Sequence, residues 1–154
     1  MKRVILPLIF IFIGLNVFAQ STNDYIEVVR SVLKTEKKAI IAETMAFTDK
    51  EAEVFWPLYN EFNEKAYVIQ SKRIALIKDF ADNYETMSDL KADELWTNYL
   101  KYQQEIQNLN KQYFKKFKKF MPASKVVKYF QAENKIAALI NVQLADQIPF
   151  IEIQ

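Results

Sequence analysis

The sequence predicts an all-α fold, an elongated four-helix bundle of hairpin type. Three observations lead there. Gly14 is the only glycine among 154 residues, so the chain after it lacks the residue that tight, positive-φ hairpin turns favour. Apolar residues recur every three or four positions over long stretches instead of alternating. Two of these stretches open on a hydroxyl residue followed by acid, Thr48-Asp49 and Ser88-Asp89, as helix starts do.

The first helix is expected from about Asp24, its cap, to Ala46, with Tyr25, Val28/Val29, Val32/Leu33, Ile40 and Ile41 as its stripe. The second starts at Thr48. Thr48-Asp49-Lys50-Glu51 reads as a capping box, in which hydroxyl and carboxylate each accept from the other's backbone N–H. Phe55, Tyr59, Phe62, Ala66, Ile69, Leu76 and Phe80 form its seam, and Pro57 is expected to bend it near Glu53. The third starts at Ser88. It carries Leu95, Tyr99, Tyr102, Ile106, Leu109, Tyr113, Phe117 and Phe120 and is expected to end at Met121-Pro122. The fourth runs from about Ala123 to Gln147, with Val126/Val127, Phe130, Ala137, Ile140 and Leu144 inward. Pro149 ends it, and the apolar tail Phe150-Ile151-Glu152-Ile153 is expected to dock on the bundle. The second and third helices reach roughly 45 to 55 Å at 1.5 Å per residue.

The N-terminus reads as an export signal. Lys2 and Arg3 precede an apolar run from Val4 to Phe18, which closes on Val17-Phe18-Ala19. Cleavage is expected after Ala19, leaving residues 20–154 as one helical domain in the periplasm. The alternative is an uncleaved anchor, but the run is shorter than the roughly 20 residues a membrane span wants. No cysteine follows it to carry lipid, and no second apolar run follows either. The processed chain is therefore expected to have no stable membrane insertion.

Composition removes most chemistry. The chain has no cysteine and no histidine, so it offers neither a thiolate nor the commonest general base and metal ligand. Without glycine beyond Gly14 it builds no phosphate-cradling loop. Ser31-Val32-Leu33-Lys34 has the spacing of serine acyl enzymes, but their other elements are missing. Glu51, Glu53, Glu61 and Glu64 lack the Glu-x-x-His pattern of di-iron bundles and read as a solvated face. A non-enzymatic protein without cofactor or metal is expected.

Charge is segregated. Residues 20–100 carry 10 basic and 15 acidic side chains, whereas residues 101–135 carry nine lysines against Glu105 and Glu133. Within the basic part lies Lys111-Gln112-Tyr113-Phe114-Lys115-Lys116-Phe117-Lys118-Lys119-Phe120. One reading is a core stripe with a solvated, cationic flank at a helix C-terminus. The other is a surface for unfolded or acidic clients, formed by Lys111, Tyr113, Phe114, Lys115, Lys116, Phe117, Lys118 and Lys119. No nucleic-acid motif accompanies the run, and export removes that partner. Trp56 and Trp96 flank the seams and are expected to be partly buried anchors.

Two segments match at an offset of 40: Phe47-Thr48-Asp49-Lys50-Glu51-Ala52 with Trp56 and Tyr59, and Met87-Ser88-Asp89-Leu90-Lys91-Ala92 with Trp96 and Tyr99. A doubled helix start of the form Leu-Thr-x-x-Gln marks the Spy/CpxP family, which this sequence resembles over roughly residues 45 to 147. Phe47, Thr48 and Glu51 occupy the first motif, and Met87, Ser88 and Lys91 the second. Phe47 and Met87 keep an apolar residue before the cap. Glu51 keeps the capping box, whereas Lys91 has no oxygen to return the bond. The resemblance implies four helices, an antiparallel homodimer, and a concave surface holding either unfolded clients or the periplasmic domain of a membrane sensor. Some relatives report heavy metals, a branch that usually draws on histidine.

Overall fold

The structure, a computed structural model, describes residues 34–151. The expected signal segment, Asp24 with the first part of its helix, and residues 152–154 lie outside that range. The described residues are all-α, with no strand among them. The described part of α1 covers residues 34–45. There follow α2 (Asp49–Asn83), a 3-10 turn (Tyr84–Thr86), α3 (Asp89–Phe117) and α4 (Ala123–Gln147). Residues from Lys38 onward form one compact unit, inside which the packing below lies.

The helix boundaries follow from local chemistry. Ala46 breaks α1 by adopting φ 44°, the left-handed region that an L-residue with a Cβ enters at a cost of roughly 1–2 kcal/mol. Buried Met45 and half-buried Phe47 pack on either side and hold it there. Ala46→Gly is therefore expected to raise stability by up to about 1 kcal/mol, measured as a shifted urea midpoint.

α2 opens on the expected capping box: the Glu51 N–H donates to Thr48 Oγ1 at 3.4 Å, and the Thr48 N–H donates to Glu51 Oε2 at 2.9 Å. The helix then runs unbroken through exposed Pro57. At α3, Ser88 Oγ accepts from the Lys91 N–H at 3.2 Å, with no return bond. The Lys91 ammonium reaches Asp79 of α2 at 2.8 Å and Glu94 at 3.3 Å instead. The half-broken cap thus becomes a tie across the α2–α3 turn.

Cross-helix contacts fix the topology. Phe55 with Phe117, Glu61 with Lys116, Tyr102 with Gln70, Lys72 with Glu105, and Asp79 with Lys91 run in opposite directions along α2 and α3, which are therefore antiparallel. Phe55 with Tyr129, Phe62 with Phe130, and Arg73 with Asn141 set α4 parallel to α2. α4 packs through these rings, while α2 and α3 approach each other closely along their backbones.

The core is uneven. Ile41, Met45, Phe55, Tyr59, Phe62, Leu109, Tyr113, Phe117, Met121, Val126, Tyr129 and Ala132 form one buried cluster around the start of α2. No residue from Asn63 to Glu94 is buried. The far half of the α2–α3 pair holds Leu95 and Tyr102 as its buried side chains.

Several expectations need correction. α3 stops at Phe117, and Lys118, Lys119 and Phe120 form a turn, so Phe120 leaves the seam and is 60% exposed. In α4 the inward face carries Tyr129 and Ala132, whereas Val127 and Ala137 face water. The Phe150 side chain does not dock: it is 96% exposed, and only its backbone oxygen is held, by the Tyr84 hydroxyl at 3.0 Å.

Candidate binding surface

The basic-aromatic run covers the last two turns of α3 and the turn after it. Helical spacing splits it in two. Tyr113 and Phe117 point into the core and are buried, so their rings support the surface from beneath and do not touch solvent. Phe114 is half-buried against Phe130, with the Lys118 ammonium over its ring at 5.2 Å. Lys111, Lys115, Lys118 and Lys119 are exposed, and none has a carboxylate partner among the described residues. Phe120 stands out among them.

Lys116 belongs to a different arrangement. Its ammonium donates to Glu61 at 2.9 Å and lies 4.5 Å from the centre of the Tyr113 ring. Lys65 donates to the same carboxylate at 2.9 Å and also faces that ring, at 5.5 Å. The bonds from Lys65, then Lys116, hold the Glu61 carboxyl down at about 2. Glu51 is likewise held at about 2, first by Lys125, which reaches it at 2.6 Å, and then by the Thr48 backbone. Both depressed values sit beneath the ordinary 4.5. Stability from these carboxylates is therefore complete above about pH 4.5 and is lost as the pH falls towards about 2. A urea midpoint that declines across that window is expected, with a shallower decline in the Glu51→Gln, Glu61→Gln double variant.

Tyr59, Tyr102 and Tyr129 are held in the neutral form. Burial, with the nearby Glu133 charge adding to it, pushes Tyr59 and Tyr129 upward. Desolvation raises Tyr102 as well. Among the described residues no group of three or more acidic side chains gathers as a cation site, and no helix is long and apolar enough to cross a membrane.

The motif residues play structural parts. Phe47 packs on Phe55 and Trp56, with Lys125 over its ring at 5.3 Å. Thr48, Glu51 and Ser88 are caps, Met87 is half-buried, and Lys91 ties the helices. The two tryptophans diverge. Trp56 packs between Phe47, Phe55 and Tyr59, under Lys38 at 5.1 Å, whereas Trp96 is 62% exposed and stacks only on neighbouring Tyr99.

Sequence reasoning missed a notch where the start of α2 meets the end of α3. It has a volume of about 160 Å³ and is lined by Val54, Phe55, Leu58, Phe117, Phe120 and Met121, with the charged residues Lys50 and Glu51 at its edge. Its components are far apart in the chain, and Phe120 was the one available signal: an aromatic in a lysine-rich turn.

No family model, curated protein or solved structure matches the chain.

Proposed function

We propose that this is an exported, non-enzymatic binding protein of the Spy/CpxP kind, a periplasmic chaperone that holds unfolded or acidic chains against its basic-aromatic surface. One observation carries the reading: among the described residues Lys111, Lys115, Lys118 and Lys119 stand without carboxylate partners, beside exposed Phe120 and half-buried Phe114. Free cations draw in an acidic or partly unfolded chain from a distance. Exposed rings then offer short-range apolar contact of the sort such a chain also exposes. The buried Tyr113 and Phe117 fix this surface on a rigid base, so binding requires no reordering of the helix beneath. The export signal and the doubled helix-start motif support the same reading.

Light scattering of a denaturing client tests it. Suppression by the protein at roughly equimolar ratio is the expected result, and aggregation at an unchanged rate would refute the proposal.

A further inference from the structure

We propose that the tail Pro149-Phe150-Ile151 of one molecule seats in the apolar notch of a second copy, with the Phe150 ring as its anchor. The notch has the right size: an apolar cavity of about 150 Å³ accepts a benzene ring, and this one holds about 160 Å³. Its outer wall, Phe120, is left 60% exposed, as is nearly all of Phe150. The two surfaces have complementary chemistry, each a large apolar group left exposed among the described residues.

The tail cannot fill the notch of its own molecule. Tyr84 holds the Phe150 carbonyl beside the C-terminal end of α2, at 3.0 Å. The notch is lined by Val54 and Leu58, near the opposite end of the same helix. Between Leu58 and Tyr84 the helix rises about 40 Å at 1.5 Å per residue. The few residues around Phe150 cannot bridge that, since an extended residue spans at most about 3.6 Å. A Phe150 ring in the notch therefore comes from another molecule, and two copies lying in opposite directions satisfy both contacts at once.

Charge favours the same occupant. Lys50 and Glu51 both line the notch, but the Glu51 carboxylate is neutralised by Lys125 at 2.6 Å, which leaves Lys50 as the open charge. Lys118 and Lys119 follow Phe117 and precede Phe120 in the chain, next to the lining but not part of it. None of Lys50, Lys118 and Lys119 has a carboxylate partner among the described residues. The sequence after Lys135 contains no basic residue and places Glu152 two positions beyond Phe150. An acidic group following an aromatic anchor matches a notch with a basic rim.

The protein has no cysteine, so introduced cysteines report chosen contacts alone. A mixture of the Lys50→Cys and Ile151→Cys proteins under mild oxidation is expected to give a disulfide-linked pair. Glu85→Cys, at the far end of the α2–α3 hairpin, is expected to give none with Ile151→Cys. In sedimentation, Phe150→Asp is expected to weaken self-association roughly thirtyfold, the loss of a buried aromatic anchor. The Phe150 ring is exposed within one molecule, so circular dichroism is expected to stay the same; Phe120→Ala removes the opposite side of the contact and is expected to weaken association too. Three results would overturn the proposal: a protein that sediments as a monomer at its highest soluble concentration, linkage to Glu85→Cys as efficient as to Lys50→Cys, or association unaffected by Phe150→Asp. A client that occupies the notch of a monomeric protein also overturns it. None of these measurements uses client aggregation, so this contact and the chaperone reading fail separately.

Discussion

Phe55→Ala is expected to remove about 3 to 5 kcal/mol of folding stability, the usual loss for a fully buried phenylalanine. The residue is 1% exposed and meets rings from α3, α4 and the α1–α2 connection. Its ring stacks on Phe117 of α3 at 5.2 Å and meets the edge of Tyr129 of α4 at 5.1 Å. It also contacts Phe47 from the α1–α2 connection at 4.3 Å. Removing it leaves these rings facing a void. The three helices have little else to close it, because α4 meets its neighbours mainly through rings that large. A domain of this size has about 5 to 15 kcal/mol in total, so the loss takes roughly a fifth of it or more. Urea denaturation checks the prediction: the midpoint falls steeply while the slope stays near the wild-type value. A change below about 1 kcal/mol would mean that the cluster is not packed as described.

The second large effect is functional. Changing Lys111, Lys115, Lys118 and Lys119 together to Glu is expected to slow client association at least about tenfold, the lower end of what electrostatic steering supplies. These four are chosen because no described carboxylate holds them, so helicity is expected to persist. Lys116 is left in place because it is engaged with Glu61 and the Tyr113 ring. The mechanism predicts a salt signature as well. Raising ionic strength from about 0.01 to 1 M shortens the screening length from roughly 30 to 3 Å. Client binding to the natural protein is expected to weaken over that range, while the reversed variant shows little further loss. Stopped-flow association at several salt concentrations reads both effects. A variant that binds as fast as the natural protein would place the contact on another face.

The helix starts were legible in the sequence because capping is local. Thr48 with Glu51 needs only four residues to declare itself, and both bonds are present. The α2 seam was legible for a related reason: Phe55, Tyr59 and Phe62 are apolar on one side, with charge opposite them. α4 was misread because apolar residues surround it. Leu139 and Val142 are exposed, so periodicity alone could not choose between faces, and Tyr129 fell outside the stripe drawn through Phe130 and Ala137. Phe120 continued the seam by spacing, but a helix end without glycine leaves little mark, and Pro122 comes after the backbone has already turned. The duplicated segment made Trp56 and Trp96 look equivalent. Only the location of the core separates them: one stands at the aromatic end, the other on the thin half. For the candidate surface, composition singled out the run as basic and aromatic. Which rings lie beneath it depends on where α4 crosses, and that is a tertiary fact.

The uneven core gives the α2–α3 pair a firm grip at one end and a loose fork at the other. Between Asn63 and Glu94 the tines are held by side chains that water still reaches, and their clasps are ionic: Lys72 on Glu105 at 2.6 Å and Lys91 on Asp79 at 2.8 Å. Ion pairs that water reaches in this way contribute about 0 to 1 kcal/mol each when exposed, and they fade as salt is added. Added salt is therefore expected to loosen these clasps and to leave unchanged the aromatic handle, which has no ion pair at its centre among the described residues.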